Sequence, residues 1–155
     1  MYSSFILGKS LGSSVSYFIL ISYDRKSILD DLSNGYTIIC DRYFPSGVAF
    51  STAKGMDMEW CLAPDRGLPA PDIIYFFDVS EEVQVARGGF GNERYEVAAF
   101  QRAVRKKFFE LKGYLSDLNW QSIDASKSEE EVYSKLKSSV DQVIVECENQ
   151  AVDVL

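Results

Sequence analysis

The sequence predicts an α/β fold: a parallel sheet flanked by helices. Three observations predict it. Apolar runs bounded by turn residues recur at 36–40, 72–79 and 119–123, each short enough for a strand. Stretches with apolar residues three and four apart lie between and after them. Strand, helix and loop therefore alternate along the chain. With 155 residues, 46% of them hydrophobic and 14% aromatic, one domain over 1–155 can bury a single core.

The elements follow in order. Residues 1–22 mix serines, glycines and apolar residues without a clear period, and 17–21 reads as strand or as buried helix. Lys26–Leu32 reads as a short helix stopped by Ser33-Asn34-Gly35. Tyr36–Cys40 reads as a buried parallel strand. Gly47 to about Lys54 reads as helix, broken by Gly55, and Met56–Ala63 as a further turn or two with Met56 and Trp60 on one side. Pro64–Pro71 is a stiff loop with three prolines. Asp72–Val79 reads as a central parallel strand, and Glu81–Ala86 as a short helix. Three glycines in 87–92 break regular structure and predict a mobile loop. The longest helix starts at Glu93 or Tyr95 and carries Val97, Phe100, Val104, Phe108, Leu111 and Leu115 on one face. Asn119–Ile123 is the third strand. Ser128 and Glu131 form a capping box for the last helix, whose inner face is Val132, Leu136, Val140 and Val143, before a frayed tail from Glu148.

Composition excludes several functions. A formal net charge of -7 argues against broad binding to nucleic acid or an anionic membrane. With no histidine, imidazole zinc sites and Ser-His or Cys-His catalysis are excluded. Three cysteines without metal-ligand spacing predict reduced thiols in a cytoplasmic or nuclear protein. No apolar run is long enough to span a bilayer, and the N-terminus lacks the basic start of a signal peptide.

The chemistry left is that of carboxylate and arginine. Asp41-Arg42-Tyr43 follows a strand, where open α/β sheets bind ligands. Arg42 offers a planar fork of donors to a phosphate or carboxylate, and Ser46-Gly47 opens the next helix with its amides nearby. The alternative at this point is a plain Asp-Arg ion pair. Arg87 and Arg94 border the glycine-rich loop, where a transferring phosphoryl group would need positive charge; a solvated helix face is the alternative. Tyr95 can pack beside a sugar or base and Gln101 can hydrogen-bond one, or they are a buried tyrosine and a solvated glutamine. Trp60 and Trp120 read as core or interface. Gly8-Lys9-Ser10 invites a phosphate-loop reading, but the motif requires glycine where Ser3 stands.

Five segments in order resemble eukaryotic-type thymidylate kinase: DRYFPSGVAFSTAKG (41–55), PDRGLPAPDIIYFFDV (64–79), RGGFGNERYE (87–96), Phe100-Gln101, and IDASKS (123–128). The likeness runs from about Gly35 to Val140; residues 1–22 match poorly. It implies the nucleoside monophosphate kinase form of the P-loop NTPase fold. It also implies transfer of the terminal phosphate of ATP, with Mg²⁺, to dTMP in dTTP biosynthesis, and a homodimer. By resemblance Asp41 and Arg42 belong to the motif that holds the dTMP phosphate. Ser46 and Gly47 follow in the acceptor pocket, and Phe50 stands where the family often carries a tyrosine beneath the deoxyribose. Arg87 and Arg94 lie in the lid over the ATP phosphates and supply catalytic charge with Arg42. Tyr95 and Gln101 lie near the dTMP sugar, and Ala125, Ser126 and Lys127 beside adenine.

The likeness has gaps. The family opens with a strand and a GxxxxGK(S/T) loop that these residues lack, so the resemblance predicts an N-terminally incomplete chain without its first strand and phosphate loop, and with little activity alone. Arg25 aligns with the arginine that reads the base, while Ile21 replaces the phenylalanine that stacks on thymine. A non-catalytic nucleotide-binding remnant and an interaction subunit of the same fold are the competing expectations.

Overall fold

In the computed structural model, residues 4–5, 7–8, 25–87, 98–147 and 151–155 are described. Their centre is β4 (Ile74–Asp78), whose Ile74, Tyr75 and Phe76 are buried. β5 (Trp120–Asp124) lies parallel to it, in register from Ile74 opposite Trp120 to Asp78 opposite Asp124. These are the second and third predicted strands, each within about two residues of its expected bounds. On its other edge β4 meets β1 (Ser4–Phe5), which runs antiparallel. A second ladder pairs β2 (Leu7–Gly8) in parallel with β3 (Ile39–Cys40). The parallel sheet expected from the sequence is thus two ladders, one with an antiparallel edge. Residues 4–5 join one ladder and residues 7–8 the other, one position apart in the sequence.

The strand before Asp41 is shorter and wetter than its sequence suggests. Within it Ile39–Cys40 pair with β2, Tyr36 is 65% and Ile39 51% exposed, and Cys40 is buried. Apolar composition therefore overstates the burial of this run. Before it, residues 25–33 form α1, which ends at Asn34-Gly35 as expected.

α2 (Phe44–Ala53) starts three residues before its expected position. Pro45 looks like a helix breaker, yet in the first turn its missing N–H costs nothing, since that donor would have no intrahelical partner. Tyr43 is the N-cap without a side-chain cap. Val48, Ala49 and Thr52 are buried, with the Thr52 hydroxyl donating to Val48 O at 2.8 Å. α3 (Met58–Leu62) is capped by Asp57, whose carboxylate accepts from Trp60 N at 2.9 Å. Met56 and Trp60 are exposed in the single chain, Trp60 by 65%, so neither is core. The prolines after it shape a 3-10 turn (Ala63–Asp65) and the loop that follows.

α4 (Glu81–Ala86) has the expected bounds. The glycine loop after Arg87 and the start of the long helix lie outside the described residues. α5 (Ala98–Tyr114) buries Val104, Phe108 and Leu111 and half-buries Phe100; Leu115, just past its end, is half-buried too. It packs on α2, and Phe76 of β4 meets Phe108 at 5.0 Å between ring centroids. α6 (Glu129–Cys147) has the predicted capping box: Glu131 N donates to Ser128 Oγ at 3.2 Å and Ser128 N to Glu131 Oε2 at 3.1 Å. Val132, Leu136, Val140 and Val143 are only half-buried, so this helix covers the sheet with one side and sinks no residue into it.

Of the tail expected to fray, residues 153–155 are paired instead. Gly67 N donates to Leu155 O at 3.1 Å, Leu155 N to Leu68 O at 2.9 Å, and Ala70 N to Asp153 O at 2.9 Å. Leu155 packs on the core cluster of Tyr43, Phe44, Leu62 and Leu68. Polar sequence after Glu148 hides this, because the pairing is made by backbone groups to a distant loop.

No disulfide joins the three cysteines; Cys40 and Cys61 are buried as expected and Cys147 is half-buried. Burial pushes the Cys40 thiol up to about 12, which makes it a poor nucleophile.

Candidate active site

Arg42 is the one non-glycine residue with positive φ among the described residues, at 68°. In that left-handed region Cβ crowds the following carbonyl, at a cost of about 1–2 kcal/mol. Such strain persists where the surroundings impose it, and it clusters at binding sites. Here it lies between the end of β3 and the first turn of α2. The turn is tight: Ser46 N donates to Tyr43 O at 3.1 Å. Ser46 is buried, Arg42 and Gly47 are half-buried, and Asp41 is exposed. The side chain of Arg42 therefore starts beside a helix N-terminus, where amides and dipole favour an anion.

One turn further along α2, Phe50 meets Phe100 of α5 edge-on, with centroids 6.0 Å apart. Gln101 follows, and its Oε1 is buried without a hydrogen-bond partner. A buried unpaired acceptor costs about 1–3 kcal/mol, which a donor on a bound molecule would recover. The packing of α2 on α5 thus sets Phe50 against Phe100, the neighbour of Gln101 in the sequence. Tyr95 and Arg94 lie outside the described residues.

A second group gathers after β4 and β5. Ala125 N donates to Asp78 O at 2.7 Å, and Ser126 N to Asp124 Oδ1 at 3.0 Å. Bonds from the Ser126 hydroxyl and amide hold the Asp124 carboxyl below its ordinary value. Arg87 Nη2 reaches Lys127 O at 3.4 Å, so Arg87 and the 125–127 loop are neighbours although forty positions apart. Arg25 stands apart from this group: its Nε donates to Gly67 O at 2.8 Å.

Sequence reasoning missed three features. Arg105 holds Asp78 at the end of β4 with a two-pronged pair, 2.7 and 2.6 Å, and sits 4.9 Å over the Phe109 ring. Asp65 is buried with Oδ2 unpaired. Tyr43 Oη donates to Pro69 O at 3.1 Å. None carries a local motif; each depends on which segments meet. Among the described residues no group of three or more His, Cys, Asp or Glu is placed to hold a metal ion. A groove of about 240 Å³ between β5 and α6, lined by Trp120, Gln121, Ser139 and Gln142 among others, contains none of the candidate site residues.

A model of the thymidylate kinase family matches residues 5–136. The chain belongs to the thymidylate kinase family. It is a family of nucleotide kinases, and its relatives span the eukaryotes. A thymidylate kinase of Danio rerio is 39% identical over 160 residues, covering 100% of this chain and 75% of its own length. One from Arabidopsis thaliana is 41% identical over 151 residues, covering 95% of this chain and 56% of its own length. A solved thymidylate kinase from Candida albicans superposes with a TM-score of 0.68 at 26% identity, over 94% of this chain and 75% of that one. The chain therefore spans between about half and three quarters of the relatives it matches. Among the described residues no helix is long and apolar enough to cross a membrane.

Proposed function

We propose that this chain binds dTMP and serves ATP-dependent phosphoryl transfer to it, giving dTDP and ADP. The observation that carries the reading is Arg42, held in the left-handed region at 68° between a strand end and an uncapped helix N-terminus. Family membership supports reading the anion at that position as a nucleotide phosphate. In this reading the Arg42 guanidinium grips the dTMP phosphate in two-pronged fashion, with the Gly47 amide and Ser46 hydroxyl beside it. Asp41 stands next to Arg42 at the strand end. Phe50 packs under the deoxyribose. Gln101 Oε1 accepts from a donor on the nucleoside, which ends its isolation. Tyr95 borders the sugar, and Arg25 approaches the base.

ATP supplies the transferred phosphoryl group when bound. The half-buried Ala125 beside Ser126 and Lys127 fits the edge of a purine, and Arg87 beside Lys127 O can turn toward a phosphate. Arg87 and Arg94 would offset the charge that spreads over the phosphoryl oxygens. Mg²⁺ is normally held largely by substrate phosphates and water; the described residues gather no carboxylate cluster for it, and no residue is assigned to it. The 155 residues contain no GxxxxGK(S/T) pattern, so turnover by this chain alone is expected to be slow while dTMP binding persists. A homodimer and a cytoplasmic or nuclear site of action complete the reading.

Calorimetric titration of dTMP tests it. The wild-type chain should bind, and Arg42→Ala should weaken binding at least about tenfold, or about 1.4 kcal/mol. Thymidine, which lacks the phosphate, should lose most of that difference. Equal dTMP affinity in the two proteins would refute the role of Arg42, and no dTMP binding to the wild type would refute the substrate.

A further inference from the structure

The loop from Asp65 to Ala70 has bonds on two sides. On one side the end of the sequence pairs with it: Gly67 N to Leu155 O, Leu155 N to Leu68 O, Ala70 N to Asp153 O, and Pro69 bridged antiparallel to Val154. On the other side it accepts from the candidate site: Arg25 Nε at Gly67 O (2.8 Å) and Tyr43 Oη at Pro69 O (3.1 Å). Gly67 and Pro69 each take part on both sides. The loop has little backbone freedom. Pro64, Pro69 and Pro71 limit its backbone, Gly67 has a φ of +84° that other residues adopt at a cost, and Leu68 is buried.

Tyr43 is the buried N-cap of α2 and directly follows Arg42. Its ring packs in the same cluster as Leu68, with Leu155 against it. A chain of contacts thus runs from Leu155 through Leu68 and Pro69 to Tyr43, and from there along the backbone to Arg42.

We propose that Asp153–Leu155 is a positioning strap for the dTMP site. By pinning the 65–70 loop, it holds Tyr43, and with it the first turn of α2 and the strained Arg42, in the geometry that grips the phosphate; the same loop places Arg25. This inference rests on the dTMP reading and adds residues that touch no substrate. Linkage makes the effect reciprocal: if the strap favours binding, bound dTMP tightens the strap by the same factor.

The test uses the full chain. Leu155→Asp sets a charge against the core cluster, Leu155→Met keeps the apolar contact, and Val152→Ser changes a residue already 45% exposed. Melting temperature, dTMP affinity by calorimetry and amide hydrogen exchange are read for each. Leu155→Asp should stay folded and bind dTMP more weakly by about tenfold. Leu155→Met and Val152→Ser should bind as the wild type does. In the wild type, saturating dTMP should slow exchange at the Gly67, Ala70 and Leu155 amides. A folded Leu155→Asp chain with unchanged dTMP affinity would overturn the strap, as would exchange at those amides indifferent to dTMP. The exchange arm decides by itself if the aspartate variant does not fold. A wild-type chain that binds no dTMP is a separate outcome: it overturns the substrate reading, and the coupling falls with it.

Discussion

Arg42 combines two properties that pull apart. Its guanidinium suits a phosphate, while its backbone sits at a φ of 68°, where an L side chain is strained. Both Arg42→Ala and Arg42→Gly remove the guanidinium, but only glycine relieves the backbone. Arg42→Gly should therefore be more stable than Arg42→Ala by about 1 kcal/mol, seen as a higher urea midpoint, while neither recovers dTMP affinity. Equal midpoints would mean that the backbone relaxes when the side chain is lost. The strand-end Asp-Arg pair was legible from the sequence as a candidate; the left-handed conformation was not. Gln101 is similar. Its residue type suggested a hydrogen bond to a ligand, but an acceptor buried without a partner emerges only once α2 and α5 close over it.

The cap of α6 was legible in full, because capping is local chemistry. Ser128 and Glu131 exchange the two bonds that their three-residue spacing predicts. Ser128→Ala should cost about 1 kcal/mol of stability through the lost cap. Chemical denaturation should show it, with dTMP affinity unchanged, since α6 holds no candidate acceptor-site residue. A Ser128→Ala chain as stable as the wild type would show that solvent caps the helix equally well. Strand edges were less legible. The run 36–40 has the composition of a buried strand, yet Tyr36 and Ile39 are exposed, because composition does not say which face a neighbour covers. The start of α2 was misplaced because proline breaks a helix interior yet suits its first turn.

Taken as a whole, the molecule stores an electrostatic penalty at Asp65. Burial pushes its carboxyl from 3.8 up to about 7. The folded chain keeps a proton there that the unfolded chain gives up near pH 4. Between those values the native state binds more protons, so stability falls as pH rises, by at most roughly 1.4 kcal/mol per pH unit from this group. Above about 7 the penalty is complete and constant. Urea midpoints at about pH 5 and about pH 8 should show the wild type losing stability across the interval. Asp65→Asn should lose that component of the slope. The same slope in both proteins would place the proton elsewhere.

From Lys26 on, the order of strands and helices, the long apolar face of α5, the capping box and the run of family motifs were set by the sequence alone. Each is encoded by neighbours within a few turns of chain, where propensity and periodicity act. Other features required tertiary structure. They are the antiparallel edge at Ser4–Phe5, the docking of Asp153–Leu155 on the 65–70 loop, the lone acceptor of Gln101 and the backbone strain at Arg42. These arise where segments distant in sequence compete for the same backbone groups and the same buried volume, and no local pattern records who wins.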